Sequence, residues 1–411
     1  MNFGLTDALD FLTKLIKIPS VQGEPGEGMP FGKDVNDALV LALNRLDALG
    51  YSTKNLDGYC GYGTIGEGEK FDVLMHLDVV PEGKGWHYDP YGGEFVDGKL
   101  YGRGALDDKG PVAAVLYAID RLITEGLKPK KQIRIILGCN EESGWKCMDH
   151  FAECEEFAPM GISPDGDFPV INCEKGIVYH TITLPLPEGV EYLTAGDRAN
   201  MVPDHAEIKF TDGTVMETKG KSAHGSHPEM GDNALIKLLL QLRDRVPELY
   251  AIGEKFSSHY GLNVGLNMMD AESGSLSLNL GTAKTENGKI VFELDIRYPV
   301  TKSMDTVTDI LKHNVDGEVE RVFYHEPLYL APDNELVSTL LSAYNKVTGE
   351  NASPIAIGGG TYARCLKLGC AFGPMFPDEE DCIHQPDEHI KLSSFIKMSD
   401  IYYEAFKQLC F

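Results

Sequence analysis

The chain has 411 residues, 43% of them hydrophobic and 24% charged, the balance of a globular protein long enough for two domains. Acidic residues outnumber basic ones 63 to 37, and the formal net charge of −26 excludes nucleic acid and anionic membrane as default partners, since both need a positive surface. No run reaches the roughly 18 apolar residues of a membrane span, and nine scattered cysteines without a Cys-x-x-Cys pair read as reduced thiols of a cytoplasmic protein.

Met1–Pro19 lacks the basic and apolar regions of a signal peptide. Leu5, Leu9, Leu12, Leu15 and Ile16 instead predict an amphipathic helix over Thr6–Ile18, stopped by Pro19. A loop over Gly23–Gly32 precedes a second helix, Asp34–Leu49, with Gly50 at its end. Strand signals follow at Gly63–Ile65 and at Val73–His76, the latter a short apolar run of the kind buried on both faces of a parallel sheet. Pro81–Gly104 reads as a long loop. Val112–Ile123 reads as a helix, with Pro111 in its first turn and Asp108 as a candidate cap. Gln132–Cys139 is a buried strand that ends in Asn140-Glu141-Glu142. An acidic helix near Met148–Phe157 leads to a short strand, Met160–Ser163, which ends in Pro164-Asp165. Alternating strands and helices predict an α/β fold whose central sheet is mostly parallel and flanked by helices.

The pattern changes near Gly176. Val178–Leu184, Ala206–Phe210, Leu276–Leu280 and Ile290–Ile296 read as strands, with one strong helix at Asn233–Leu242. From Asn334 the earlier character returns, with helices at Glu335–Val347 and Leu392–Leu409 and a strand at Cys370–Met375. The expected organisation is a discontinuous catalytic domain, residues 1–175 and 329–411, interrupted by an inserted α+β lid domain, residues 176–328.

Strand ends of the first domain present His76, Asp78, Glu141, Glu142 and Asp165, a loop presents Asp107, and His384 follows the Cys370–Met375 strand. Side chains alternate along an extended chain, so His76 and Asp78 share a side, at the strand edge where open α/β sheets bind ligands. Two imidazoles with several carboxylates suit a borderline divalent ion such as Zn²⁺, with Mn²⁺ or Co²⁺ compatible. Without cations so many carboxylates would repel one another, and two divalent ions balance the set.

His76-x-Asp78, Gly104-Ala-Leu-Asp-Asp-Lys-Gly110, Glu141-Glu142, Asp165 and His384 resemble the M20 metallopeptidases. Gly359-Gly-Thr-Tyr-Ala-Arg364, Ala371-Phe-Gly-Pro-Met-Phe-Pro377 and His384-Gln-Pro386 are similar to the PepV-like dipeptidases within them. The resemblance implies two bound metal ions, one completed by His76 and Asp165 and the other by Glu142 and His384, with Asp107 bridging them. It further implies that Asp78 orients His76 and that Glu141 is the general base acting on a bridging water. On the inserted domain it implies that His224, in Ser222-Ala-His224, and Asn200 donate to the developing oxyanion, while Arg297 grips the substrate carboxylate in bidentate fashion. Gly359, Gly360 and Thr361 would contact substrate, and His227 is read as plain surface.

The implied activity is hydrolysis of dipeptides. The alternative is an amidohydrolase that deacylates N-acyl amino acids with the same metal ligands; a third reading is a metal-loaded binding protein without turnover. A hinge is expected near Glu174–Gly176 and Glu326–Leu330. The extra stretch Arg243–Ser275 in the insertion favours a monomer over a homodimer.

Overall fold

Strands buried on both faces and helices with one apolar stripe account for most of the architecture of the computed structural model, which describes residues 3–411. Two compact units are present. The first comprises the residues up to Asn172 together with Leu330–Ile355 and Thr361–Phe411; the second comprises Cys173–Tyr329 and Ala356–Gly360.

In the first unit the sheet runs Ser52–Leu56, Cys60–Ile65, Gln132–Gly138, Lys70–His76, Met160–Ser163, Leu368–Ala371 and then the start of Ile171–Glu174. The expected parallel arrangement occupies the centre, from Gln132–Gly138 to Leu368–Ala371. Outside it the neighbours are antiparallel. This division follows burial. Val73, Leu74, Met75, Ile133, Ile135 and Ile136 are wholly buried, as a central parallel sheet covered on both faces requires. Because the central strands share a direction, the residues following His76, Gly138 and Ser163 emerge at one edge.

The first helix spans Leu5–Ile16 and buries Ala8, Phe11, Leu12, Leu15 and Ile16, the i, i+3, i+4, i+7 and i+8 positions of one stripe. It ends short of the expected Ile18. A residue preceding proline disfavours the helical region. The exposed carbonyls of that last turn are taken by a buried ammonium, since Lys109 Nζ donates to Leu15 O at 3.0 Å and to Ile18 O at 2.8 Å. Burial pushes the Lys109 ammonium down to about 7. Lys109 opens the helix Lys109–Thr124, just after the turn begun by Gly104. Gly104 has φ +88°, and a Cβ on Gly110 would stand 2.1 Å from Ala105 O, so both glycines are required for this turn to fold back on the helix.

The long loop expected over Pro81–Gly104 contains a short hairpin, Glu94–Val96 with Lys99–Tyr101. Its third strand is His389–Lys391, distant in sequence and therefore invisible to a local pattern.

The second unit has a sheet that is antiparallel throughout: Val215–Lys219, His205–Phe210, Val190–Ala195, Ser277–Glu286, Lys289–Tyr298, Gly176–Pro185 and Glu318–His325. Helices Ala234–Leu239, Pro247–Phe256 and Met304–Asn314 contribute to its core. The helix expected over Asn233–Leu242 is shorter, because Asn233 is its cap, accepting from Ile236 N at 3.0 Å, and the chain turns after Leu239 toward Pro247. All nine cysteines are free thiols. Among the described residues no helix is long and apolar enough to cross a membrane.

His180 is buried in this unit, with Nε2 2.9 Å from Thr308 Oγ1 and Nδ1 without a hydrogen-bond partner among the described residues. Thr308 Oγ1 already donates to Met304 O, so His180 Nε2 is the donor. Burial, with the Arg321 and Lys312 charges behind it, lowers its pKa to about 4. The folded state therefore binds fewer protons than the unfolded chain as pH falls from about 6.5 towards 4, and stability is lost across that window. Urea unfolding at pH 7 and pH 5 will show this loss, up to about 3 kcal/mol if carried down to pH 4. His180→Gln will remove that part of the pH dependence.

Candidate metal centre

The common edge of the parallel strands gathers the acidic residues and the imidazoles. His76 ends its strand fully buried, and its Nε2 lies 2.8 Å from Asp107 Oδ1 and 3.7 Å from Asp165 Oδ2. The other oxygen of Asp107, Oδ2, lies 2.9 Å from His384 Nε2, which is also 3.0 Å from Glu142 Oε1. Asp107 thus stands between two imidazoles, with Asp165 on one side and Glu142 on the other. His384 adopts the left-handed region at φ 62°, sparsely used by non-glycine residues and costing on the order of 1–3 kcal/mol, so its surroundings hold it there. The peptide bond joining Asp107 to Asp108 is cis.

Asp78, expected to orient His76, meets that ring through its main chain rather than its carboxylate. His76 Nδ1 donates to the Asp78 main-chain carbonyl at 2.9 Å, and the Asp78 carboxylate is 3.6 Å from the same nitrogen. That carboxylate instead accepts from Glu141 N at 3.0 Å and from Glu142 N at 3.1 Å, fixing the backbone of both glutamates. Asp108 occupies the cap position of its helix, yet its carboxylate accepts from His76 N at 3.1 Å rather than from a helix N–H.

Two residues had no signal in a local reading. Trp145, in a segment read only as a turn, donates from Nε1 to Glu141 Oε1 at 3.0 Å. Tyr362, wholly buried, sets its ring edge-on to both His76 and Trp145, with its hydroxyl 2.9 Å from Cys147 Sγ. Gly138 leaves room for it, since a Cβ there would meet Tyr362 Oη at 2.5 Å.

The electrostatics describe a site that recruits positive charge. Burial alone would lower the His76 imidazole, but hydrogen bonds to Asp107 and Asp78 and the charges of Asp107 and Asp165 raise it well above its ordinary value. Burial is likewise outweighed at His384, where Asp107 and Glu142 push the imidazole up to about 11. The same two histidines hold Asp107 below the ordinary carboxylate range despite its burial. Burial raises Glu141, assisted by Asp165, and raises Glu142, assisted by Asp107. Asp165 is raised to about 7, chiefly by burial. Donor atoms of His76, Asp107 and Glu142, and of His76, Glu141 and Asp165, lie within 4.8 Å of one another, close enough to share an ion. Imidazole nitrogens with carboxylate oxygens are the donor set that divalent zinc, manganese or cobalt accepts, so the residues fit metal.

The second unit assembles a cluster of its own. Met201 bridges His224 and Gly225 N donates to Asn200 O at 2.7 Å, so Asn200 and His224 are neighbours. Ser226 N donates to His224 Nδ1 at 3.3 Å, which leaves the proton of the neutral ring on Nε2. Arg297 is buried. Its Nε and Nη2 donate to the Asp295 carboxylate at 2.7 Å each, while Nη1 donates to Gly358 O at 3.2 Å and Nη2 to Tyr179 Oη at 3.5 Å. The bidentate face expected to grip a substrate is therefore engaged by Asp295, and of five N–H groups one on Nη1 remains. A Cβ on Gly359 would meet Ile357 Cδ1 at ordinary contact distance. In the first unit, Thr361 is largely committed to local structure, its hydroxyl capping the short helix Tyr362–Cys365 through Ala363 N. His227 is exposed, as expected.

The sequence model of peptidase family M20/M25/M40 matches residues 73–408. The chain is 36% identical to the Bacillus subtilis (strain 168) protein named "Putative dipeptidase YtjP", over 96% of each chain. Among solved structures, human carnosine dipeptidase 1 aligns with TM-score 0.65 at 16% identity, over 98% of this chain and 95% of that one. Bacillus subtilis YXEP, described as a dinuclear metal binding peptidase from M20 family, aligns with TM-score 0.57 at 11% identity, over 98% of each. At these identities the two structures share the fold.

Removing the acceptor for Glu141 N and Glu142 N will loosen the centre. Asp78→Ala is expected to weaken divalent-metal affinity roughly ten- to a hundredfold, the range seen when partners of metal ligands are lost. Titration of Co²⁺ into metal-free protein, followed by visible absorption, reads this directly.

Proposed function

The chain belongs to peptidase family M20/M25/M40 and is an enzyme of its metallopeptidases, and on that premise we propose that it hydrolyses the peptide bond of dipeptides with a free amino terminus. The observation that carries the reading is the Asp107 carboxylate presented to two imidazoles, with Glu141 held beside it by Trp145. His76 and Asp165 would hold one divalent cation and Glu142 and His384 the other, with Asp107 shared; zinc suits this set first, and manganese or cobalt also. Bound there, such cations lower the pKa of water in the site and polarise the carbonyl under attack.

Glu141 takes the proton of the attacking water and passes it to the leaving amine. Its burial and its proximity to Asp165 raise its proton affinity, the direction needed to keep the proton between the two transfers. The Trp145 indole fixes one Glu141 oxygen and leaves the other for the water. On the second unit, the Nε2–H of His224 is the donor for oxyanion charge, with Asn200 as its companion, because Ser226 has set the tautomer. Arg297 contributes to substrate binding through its remaining Nη1 proton, and Gly359, Gly360 and Thr361 through their backbone.

Steady-state hydrolysis of a dipeptide panel beside N-acyl amino acids tests this reading. Turnover of dipeptides should vanish on chelation and return with Zn²⁺, Mn²⁺ or Co²⁺. Faster cleavage of N-acyl amino acids would instead establish the amidohydrolase alternative. Glu141→Gln should lower kcat roughly 10²- to 10⁴-fold while retaining metal. For Trp145→Phe, loss of a hydrogen bond to a charged group, about 1.5–3 kcal/mol, predicts a kcat drop of about ten- to a hundredfold with KM little changed.

A further inference from the structure

The segment that supplies His384 ends in Glu388, a wholly buried carboxylate with no part in the chemistry above. Its Oε1 accepts from Leu106 N at 2.9 Å, Gly104 N at 3.1 Å and Asp107 N at 3.3 Å. Its Oε2 accepts from Arg103 Nη1 at 2.6 Å. Arg103 is equally buried, lies 5.4 Å from the Trp86 ring centroid and donates to Glu82 O at 3.3 Å. The main chain joins the same contact, since Gly102 N donates to Glu388 O at 2.9 Å beside the pairing of His389 with Tyr101.

We propose that Glu388 is a positioning residue for the metal centre, fixing through the Gly104–Asp107 backbone where the Asp107 carboxylate stands. The inference rests on the reading of Asp107 as the shared ligand. That loop lies between the strand Lys99–Tyr101 and the helix Lys109–Thr124, so no ladder satisfies its N–H groups and each needs another acceptor. Oε1 supplies one acceptor for three of them. The single stretch His384–Glu388 then grips Asp107 at both ends, with the His384 imidazole 2.9 Å from its carboxylate and Glu388 on its main-chain N–H. Arg103 balances the charge that would otherwise repel Asp107. Glutamine could keep an oxygen for the three N–H groups, but its NH₂ would face Arg103 Nη1, donor against donor.

The test titrates Co²⁺ into metal-free wild type, Glu388→Gln and Asp72→Asn, with metal counted by elemental analysis and thermal unfolding recorded without metal. Asp72 forms an equally buried, bidentate pair with Arg134 in the same unit and serves as the control for simple destabilisation. Glu388→Gln should weaken Co²⁺ affinity roughly ten- to a hundredfold. Asp72→Asn should lower the melting temperature and leave that affinity within about threefold. Unchanged affinity in Glu388→Gln, or equal weakening in both variants, overturns the proposal. If Glu388→Gln does not fold, Glu388→Asp, which keeps the charge but is one methylene shorter, is read by the same criterion. A wild type that binds no Co²⁺ would overturn the metal-centre reading itself, whereas metal binding unaltered by the Glu388 variants overturns this inference alone.

Discussion

One carboxylate facing two imidazoles governs the arrangement of the first unit. Asp107 cannot approach His76 and His384 at 2.8 and 2.9 Å unless the loop that carries it is held from behind and the histidines are held from the side. The sheet edge fixes His76, Glu388 receives the loop, and an unusual backbone conformation aims His384. Around this contact stand Asp165, Glu141 and Glu142, whose charges would drive the group apart in the absence of compensating positive charge. The buried His76 and the more exposed His384 are both raised above their usual proton affinity by the surrounding carboxylates, and Asp165 is raised chiefly by its own burial.

The parts legible in the sequence were those that end a strongly patterned strand. Val73–Met75 leads into His76, Ile135–Leu137 leads toward Glu141, and the short strand Met160–Ser163 leads to Asp165, so each strand is followed by a polar residue near its end. A parallel sheet then brings such ends together. Trp145, Tyr362 and Glu388 carried no such mark, because their contacts join segments that only the tertiary fold brings together or sit in a turn whose geometry the residue types do not declare. The role of Asp78 was half visible. Its proximity to His76 follows from alternation along an extended chain, but its grip on two successive N–H groups belongs to a neighbouring strand's turn.

In the second unit the chemistry of individual residues was easier to anticipate than their state of engagement. An arginine suited to a carboxylate was expected at 297, and a carboxylate is indeed there, supplied two residues earlier by Asp295. Both side chains are buried, and a Cβ on Gly225 would stand 2.6 Å from Asp295 Oδ2, so the loop that bears His224 rests on the pair. Arg297 is thereby a support for that loop as much as a contact for any ligand.

Lys109 ties the end of the opening helix to the turn that delivers Asp107. Its ammonium holds two carbonyls of a segment nearly a hundred positions earlier while its own backbone begins the helix behind the turn. A change at the outset of the chain, whether a clipped helix or a rigid fusion, is therefore mechanically connected to the centre of the catalytic apparatus. The amino-terminal helix is part of the foundation on which the reactive groups are set.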